Sequence, residues 1–424
     1  MLIFYHFLLL LFKSTAPFFL GFSAKGRDWL EGQKIISNAI GSLENKYISS
    51  KCIWMHCASL GEYEQGKPLL QELKGRFPDY KIVLTVFSPS GFKLEPSFFD
   101  ADDVCPLLLD GKNEARKWIK AVHPQIAIFV KQEFWYHYLK ELNLQKIPVF
   151  LISGTISNSI LLKFGLYKNW YLKLTELFTI LFLQSKIDFD RAKNYGLTNA
   201  MLSGNTRVDS VWKNKEFQWE NTVLASFTHE SNTFIFGSAW TEDIPLLNHL
   251  LENPLFKSWK IIWAPHDISL QHINRLKEAL PKNEGIQLFS ESNTSDIKSR
   301  ILVLNTIGIL KYAYRYAQLV YVGGGFGKGI HNLLEPIVYQ IPVVFGPNYH
   351  AFPEAHHLKM TGGGFCAENL AAWKLILDKL ENPVFRNQCG MIASSYIVQN
   401  MGTINNILPY LYTVLDKKEH GKFK

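Results

Sequence analysis

Apolar positions along the chain fall into two kinds of run. Short β-branched and aromatic runs, bounded by glycine, serine or asparagine, alternate with longer stretches whose apolar residues recur at helical spacing. That alternation predicts parallel sheets joined by crossover helices. In the first half the candidate strands are Ile53–Ser59, Lys81–Ser88, Gln125–Val130, Ile147–Ser153, Thr179–Gln184 and Ala200–Ser203. A polar stretch around Asn214–Asn232 interrupts the rhythm, which restarts with Thr233–Ser238, Lys260–Ala264, Arg300–Leu304, Leu319–Val322 and Pro342–Phe345. The pattern implies an α/β chain of two doubly wound halves, 23–210 and 233–395, with a linker at 211–232. A helix and basic tail at 396–424 close the chain and can pack back on the first half. Ligands of such sheets bind beyond the carboxyl ends of the strands, so the residues just after each strand are the candidates for chemistry.

Residues 1–22 depart from this rhythm. MLIFYHFLLLLF, then PFFLGF, carries a single charge, Lys13. As a helix it would be about 33 Å long, enough to reach across the hydrocarbon of a bilayer. No positive charge precedes the apolar stretch, and Pro17 directly follows the small-residue cleavage candidate Ser14-Thr15-Ala16, which favours a retained membrane anchor over a cleaved signal. Lys25, Arg27 and Lys34 follow it and place the rest of the chain on the cytoplasmic side. Because Lys13 and Pro17 interrupt the segment, a helix lying in the membrane interface is the other geometry it allows.

Composition narrows the partners. The 424 residues exceed one ordinary core, and a chain 47% hydrophobic and 19% charged is a folded one. Lysine and arginine outnumber aspartate and glutamate by 45 − 37 = 8, which favours anionic partners such as phospholipid headgroups, phosphates or acidic sugars. The basic residues are scattered along the chain and match no nucleic-acid motif, so nucleic acid is not an expected partner. The five cysteines, Cys52, Cys57, Cys105, Cys366 and Cys389, form no C-x-x-C pair and read as small buried apolar residues in a reducing compartment.

Several strand ends carry unusual residues. In IWMHCASLGEYEQGKPLL (53–70) the chain passes from a strand through Ser59, Leu60 and Gly61 to Glu62 at a helix start. The macrodipole there favours an ionised carboxylate and Gly61 permits close approach of a ligand, so Glu62 is a candidate general base. The alternative, a first-turn acid that only complements the helix, stays open, and His56 within the strand reads as a core histidine. In YVGGGFGKGIHNLLEPIVYQIPVVFGP (321–347), Gly323, Gly324, Gly325, Gly327 and Gly329 lead from a strand into a helix expected near His331 or Asn332, an arrangement suited to a phosphate. Glu335 follows Asn332 by three residues, where a carboxylate can accept both hydroxyls of a ribose. The spacing matches neither the dinucleotide fingerprint nor an ATP P-loop. Ser238 in F-G-S-A-W, Pro265 and His266 in A-P-H-D, and Gly308 in N-T-I-G also end strands, as do Glu133 in K-Q-E-F-W and Ser157 in G-T-I-S. Arg207 in G-N-T-R-V-D suits a phosphate or carboxylate and equally suits solvent. No D-x-D pair ends a strand, so no metal is expected.

In order and over almost the whole chain, these windows resemble the 3-deoxy-D-manno-octulosonic acid (Kdo) transferases of lipopolysaccharide synthesis. The resemblance rests on the apolar leader, S-L-G-E (59–62), E-F-W (133–135), G-N-T-R-V-D (204–209), F-G-S-A-W (236–240), A-P-H (264–266), N-T-I-G (305–308) and G-I-H-N-L-L-E-P (329–336) with G-P (346–347). It implies a GT-B fold whose two Rossmann-like domains face a cleft, and an inverting, metal-independent transfer of Kdo from CMP-Kdo, without a cofactor. The implied acceptor is the glucosamine disaccharide of a lipid A precursor (lipid IVA), at an anionic inner-membrane surface. By the same resemblance Glu62 would be the base, Gly324, Gly325 and Asn332 would hold the phosphate region, and Glu335 the ribose. Ser238, Pro265, His266 and Gly308 would lie on the nucleotide side, and Ser59, Gly61, Glu133 and Arg207 would support the base or the acceptor. Two positions depart from the family pattern: His266 and Ile156 stand where arginines are common. A UDP-sugar transferase or epimerase on the same fold, or an inactive membrane-tethered binding protein, are the alternatives.

Overall fold

The computed structural model describes residues 2–94, 96–156, 165–282, 284–293 and 299–419. They divide into two compact units, Met1–Ser210 with Gly402–Lys424, and Val211–Met401. Each is built on one seven-stranded sheet.

The first sheet comprises β1 (Lys51–Cys57), β2 (Tyr80–Val86), β3 (Asp103–Pro106), β4 (Pro124–Val130), β5 (Val149–Gly154), β6 (Ile180–Leu183) and β7 (Ala200–Leu202). Its order is β3-β2-β1-β4-β5-β6-β7, with every neighbouring pair parallel. The connections therefore run outward in opposite directions from β1 and β4, and the switch point lies between them. Both faces are covered, so the central strands are largely apolar: Cys52 to Cys57 of β1 are all buried, His56 alone among them polar. One face packs Trp54, Trp118, Phe129 and Tyr138. The other packs Ile53, Met55, Ile128 and Phe150 against Ile404, Ile407 and Leu411 of the final helix, Thr403–Glu419. That helix is tied down at its start by Asp209, whose carboxylate accepts from the N–H of Gly402 (2.6 Å) and of Ile404 (3.1 Å).

Two long helices open the chain, α1 (Leu2–Leu20) and α2 (Ala24–Tyr47), and β1 is followed by α3 (Leu60–Arg76). The hydroxyl of Ser23 caps α2 by accepting from Gly26 N at 3.0 Å. Of the described residues only α1 is long and apolar enough to cross a membrane.

The second sheet comprises β8 (Thr233–Ala239), β9 (Lys260–Pro265), β10 (Ile286–Leu288), β11 (Ile301–Val303), β12 (Leu319–Val322), β13 (Val343–Phe345) and β14 (Gly364–Cys366). The order is β10-β11-β9-β8-β12-β13-β14, again parallel between neighbours, with the switch point between β8 and β12. Phe234, Phe236, Trp263, Tyr321 and Trp373 fill the core on one side.

The structure departs from the sequence reading at several places. Strands β3, β10 and β14 carry no long apolar run and were not expected. All three are edge strands, with one paired neighbour and partly exposed residues such as Asp103 and Gln287. Residues 211–232 are not an extended linker. The helix Thr206–Glu216 runs through the boundary after Ser210, and a further helix, Thr222–Thr228, follows. Within the second unit the guanidinium of Arg315 donates to the carbonyls of Trp219 (2.6 Å) and Phe217 (3.1 Å), which fixes this stretch despite its polarity. The second unit also runs past 395, because the helix Pro383–Asn400 continues to its natural end before Gly402. The expected anion-binding helix start at His331 or Asn332 is displaced: the helix spans Leu334–Ile337, a single turn, so little macrodipole is available there.

Candidate active site

In the first unit the chemistry gathers at the switch point. Glu62 follows β1 and Glu133 follows β4, the two central neighbours. The backbone enters α3 at Ser59, whose hydroxyl makes no capping bond. Glu62 reaches back past the cap instead, its Oε2 accepting from the N–H of Ala58 at 2.6 Å. Burial pushes the Glu62 carboxyl up, and the charge of Glu133 adds to that. The Ala58 N–H and the positive charges of Lys131 and Arg207 oppose it, and the balance stands at about 7. The expectation of a carboxylate ionised by the helix dipole is therefore corrected. Burial beside a second carboxylate outweighs the favourable helix start, so Glu62 titrates near neutrality.

Glu133 goes the other way. Burial raises its pKa, yet the hydrogen bond and charge of His56 and the Trp135 indole bring it below the ordinary glutamate value. Trp135 Nε1 donates to Glu133 Oε2 at 2.5 Å, and His56 Nε2 lies 3.3 Å from the same oxygen. An ionised carboxylate only accepts, so His56 carries its proton on Nε2. His56 Nδ1 is 2.8 Å from Thr85 Oγ1, and that oxygen accepts from Trp54 Nε1 at 2.9 Å. His56 is thus the buried, satisfied histidine expected from its strand position, with the added task of holding Glu133. Two carboxyl groups at one rim are driven apart in proton affinity, the pattern that separates an ionised group from a proton-exchanging one.

The supporting residues sort unevenly. Arg207, half-buried, lowers the Glu62 pKa through its charge and so belongs to this cluster. Lys131, not among the expected residues, acts likewise, held at φ 65° directly after β4. Ser59 is half-exposed at the N-cap; Gly61 is exposed in the first turn of α3 with ample room around it, so no close contact within the protein demands a glycine there. Ile156 is buried and its N–H donates to Asp188 Oδ1 at 2.8 Å, so an apolar core position occupies the place of the family arginine. Ser157 lies outside the described residues.

The second unit has its own cluster at the β8–β12 switch point. Strand β8 ends with Ser238 at φ 52° and Ala239, and Trp240 follows. The Trp240 indole stacks on His266 after β9, with ring centres 4.3 Å apart and 13° between planes, and the His266 and His331 rings are 4.7 Å apart. Trp240 Nε1 donates to His331 Nε2 at 3.0 Å, which fixes that nitrogen as an acceptor. Burial, then the neighbouring His266, pushes His331 down to about 4, so its ring is neutral. Below the stack, Asp243 is fully buried and accepts from Trp240 N (2.8 Å), Tyr321 Oη (2.6 Å) and the N–H of Gly324.

The Gly324 amide, expected in the phosphate region, bears on Asp243 and lowers its pKa. The glycines also permit close packing. Gly324 stands at φ +90°, and a Cβ on Gly325 would come within 2.5 Å of the Gly346 backbone. Asn332 and Glu335 are brought together as expected, Asn332 Nδ2 donating to Glu335 Oε1 at 2.9 Å, while Asn332 Oδ1 accepts from Leu334 N at 3.1 Å. Pro265 closes β9 beside His266. Gly308 is not part of this cluster. It sits exposed after β11, two strands out from β8, at a φ of +88° that favours glycine for the turn itself.

Trp240, His331 and Asp243 were absent from the expected site. Trp240 and His331 stood inside motifs already singled out, as aromatic residues at strand ends; Asp243 gave no periodic signal.

The 3-deoxy-D-manno-octulosonic-acid transferase (kdotransferase) family model matches residues 34–210. A 3-deoxy-D-manno-octulosonic acid transferase of Chlamydia muridarum is 28% identical over 346 residues, covering 78% of this chain and 77% of that protein. One of Aquifex aeolicus is 27% identical over 325 residues, covering 75% and 82%. Among solved structures, UDP-GlcNAc 2-epimerase from Neisseria meningitidis bound to UDP-GlcNAc aligns with a TM-score of 0.61 over 86% of this chain and 100% of that one. At 12% identity that likeness speaks for the fold, two doubly wound units of the GT-B type. Matched by the family model across the sheet that carries Glu62 and Glu133, and by relatives over three quarters of its length, the chain is similar to the Kdo transferases.

Proposed function

We propose that this protein moves Kdo from CMP-Kdo to the glucosamine disaccharide of a lipid A precursor, with inversion and without a metal, at the cytoplasmic face of the inner membrane. The observation that carries the reading is Glu62, a half-buried carboxyl at the β1 end whose pKa stands at about 7. A general base is most effective when its pKa lies near the working pH, and few glutamates meet that condition. Glu62 accepts the proton of the acceptor hydroxyl as that oxygen bonds to the anomeric carbon. The bond from that carbon to the phosphate oxygen breaks, and CMP leaves with the electron pair. Glu133, held ionised by His56 and Trp135, keeps the proton affinity of Glu62 high, and Lys131 and Arg207 moderate it.

On the donor side, Glu335 steadied by Asn332 accepts the ribose hydroxyls, and Ser238, Pro265 and His266 border the nucleotide. His266, ordered by its stack on Trp240, stands in for the family arginine. Its imidazole is a smaller, titratable donor, so donor recognition here leans on stacking as well as charge.

Titration calorimetry tests the donor. CMP binds and UDP does not; preferential binding of UDP would overturn the donor assignment in favour of a UDP-sugar enzyme. Mass spectrometry of the lipid formed from CMP-Kdo and a tetraacyl disaccharide then reads the acceptor directly.

A further inference from the structure

Helix α1 has two faces. Tyr5, His6, Leu9, Lys13, Ala16 and Leu20 recur every three or four residues, and along this stripe the helix meets the first unit. The Tyr5 hydroxyl donates to the buried carboxylate of Asp110. The His6 ring stacks on that of His137, centres 4.9 Å apart and 12° between planes. The Lys13 ammonium donates to Glu114 at 2.6 Å, so the single charge of α1 is neutralised on the protein side. The opposite face exposes Ile3, Phe7, Leu10, Phe18, Phe19 and, just beyond the helix, Phe22, each more than half accessible.

Contacts at Tyr5, His6, Phe12 and Lys13, with Ala16 buried, seat the helix along the unit. A helix crossing a bilayer would have to abandon this stripe, exposing Asp110 and Glu114, or carry the unit into hydrocarbon with it. We propose that α1 lies in the plane of a phospholipid surface within one leaflet, with its exposed apolar face among the acyl chains and the stripe bearing Tyr5, His6 and Lys13 clasped to the domain. The chain then does not cross the bilayer, and the retained segment is an interfacial helix. The partner is a lipid surface with anionic headgroups, since Lys25 and Arg27 stand exposed directly after α1 and the chain carries a formal charge of +8.

The clasp also has a position. Asp110 and Glu114 follow β3 and His137 follows β4, so α1 lies on the carboxyl rim of the first sheet. Ring contacts continue inward from it: Phe12 to Trp29 (5.9 Å), Trp29 to Phe87 (5.6 Å), Phe87 to Trp135 (5.0 Å), and Trp135 to His56 (5.3 Å). Glu62 and Glu133 share that rim. An amphiphilic acceptor can therefore present its headgroup hydroxyl to Glu62 with its acyl chains still in the leaflet. This second step rests on the proposed reaction; the in-plane seating does not.

Depth measurement separates the two. Full-length protein carrying Cys366→Ser, which removes the one thiol that is not buried, receives nitroxide labels singly at Ile3→Cys, Leu10→Cys and Phe18→Cys. It is then bound to phosphatidylethanolamine–phosphatidylglycerol vesicles. An in-plane helix places all three labels at similar shallow depth. A crossing helix spreads the end labels over most of about 28 Å with Leu10 deepest, and that result, or labels that stay in water, overturns the proposal. For the clasp, Tyr5→Phe combined with Lys13→Gln slows transfer to a vesicle-embedded acceptor by roughly tenfold or more and leaves transfer to a deacylated, water-soluble acceptor unchanged. Equal loss on both acceptors would remove the orienting role of α1. Failure of the unsubstituted chain on both acceptors would count against the reaction, while the depths still decide the seating.

Discussion

Glu62→Gln separates catalysis from stability at one side chain. The amide keeps the size of the carboxyl, and its oxygen still accepts from Ala58 N, so the turn into α3 is preserved. What it removes is the ability to hold a proton reversibly. Turnover should fall by about 10²–10⁴-fold with donor binding intact. In the native protein, kcat/KM should fall roughly tenfold between about pH 8 and pH 6, because the base titrates near 7 and must be deprotonated to act. Stability moves in the opposite sense. The folded pKa is raised above the ordinary 4.5 to about 7, so the fold favours the protonated form. That stabilising contribution is complete below 4.5 and is lost as the pH rises through 7. A span of about 2.5 pH units corresponds to a ceiling of ~3 kcal/mol. Glutamine never ionises, so the variant should be more stable than the native protein at pH 8 and no more stable at pH 4. Release of CMP measures the first effect and denaturant titration at the two pH values the second. Near-normal turnover, or a variant equally destabilised at both pH values, would refute the buried-base account.

Glu133→Gln removes the like charge beside Glu62, so the acid limb of the kcat/KM profile should move to lower pH; a limb that stays in place or rises would show that burial alone sets the Glu62 pKa. Transfer should continue in EDTA. Loss of transfer that magnesium restores would reverse the expectation of a metal-free mechanism.

The two switch points solve different problems. At β1–β4 a pair of carboxyl groups is kept unequal: His56 and Trp135 both serve Glu133, leaving Glu62 with one backbone N–H and the opposing charges of Lys131 and Arg207. At β8–β12 the recurrent theme is close approach. A Cβ on Gly237 would fall 2.0 Å from the Tyr314 hydroxyl, and one on Gly323 would fall 2.5 Å from the Ser238 carbonyl. Gly237 therefore leaves room for the Tyr314 ring on the sheet face, and Gly323 for the backbone that follows β8.

Sequence by itself determined the interior strands and the place of Glu62. A strand buried on both faces reads as a nearly continuous apolar run, as Ile53–Cys57 with its one hydrogen-bonded His56 and Ile126–Val130 do, and a polar turn followed by helical spacing marks where the backbone leaves the sheet. Edge strands such as β3 and β14 escape this rule, because one side of each needs no partner. The tertiary structure alone decided the proton affinity of Glu62, since that depends on burial and on Glu133, which reaches it only because β1 and β4 are neighbours. It likewise decided that α1 lies along its own domain. Hydropathy records how apolar a segment is; which way its faces turn, and what charge a carboxyl keeps, are set by neighbours distant in the chain.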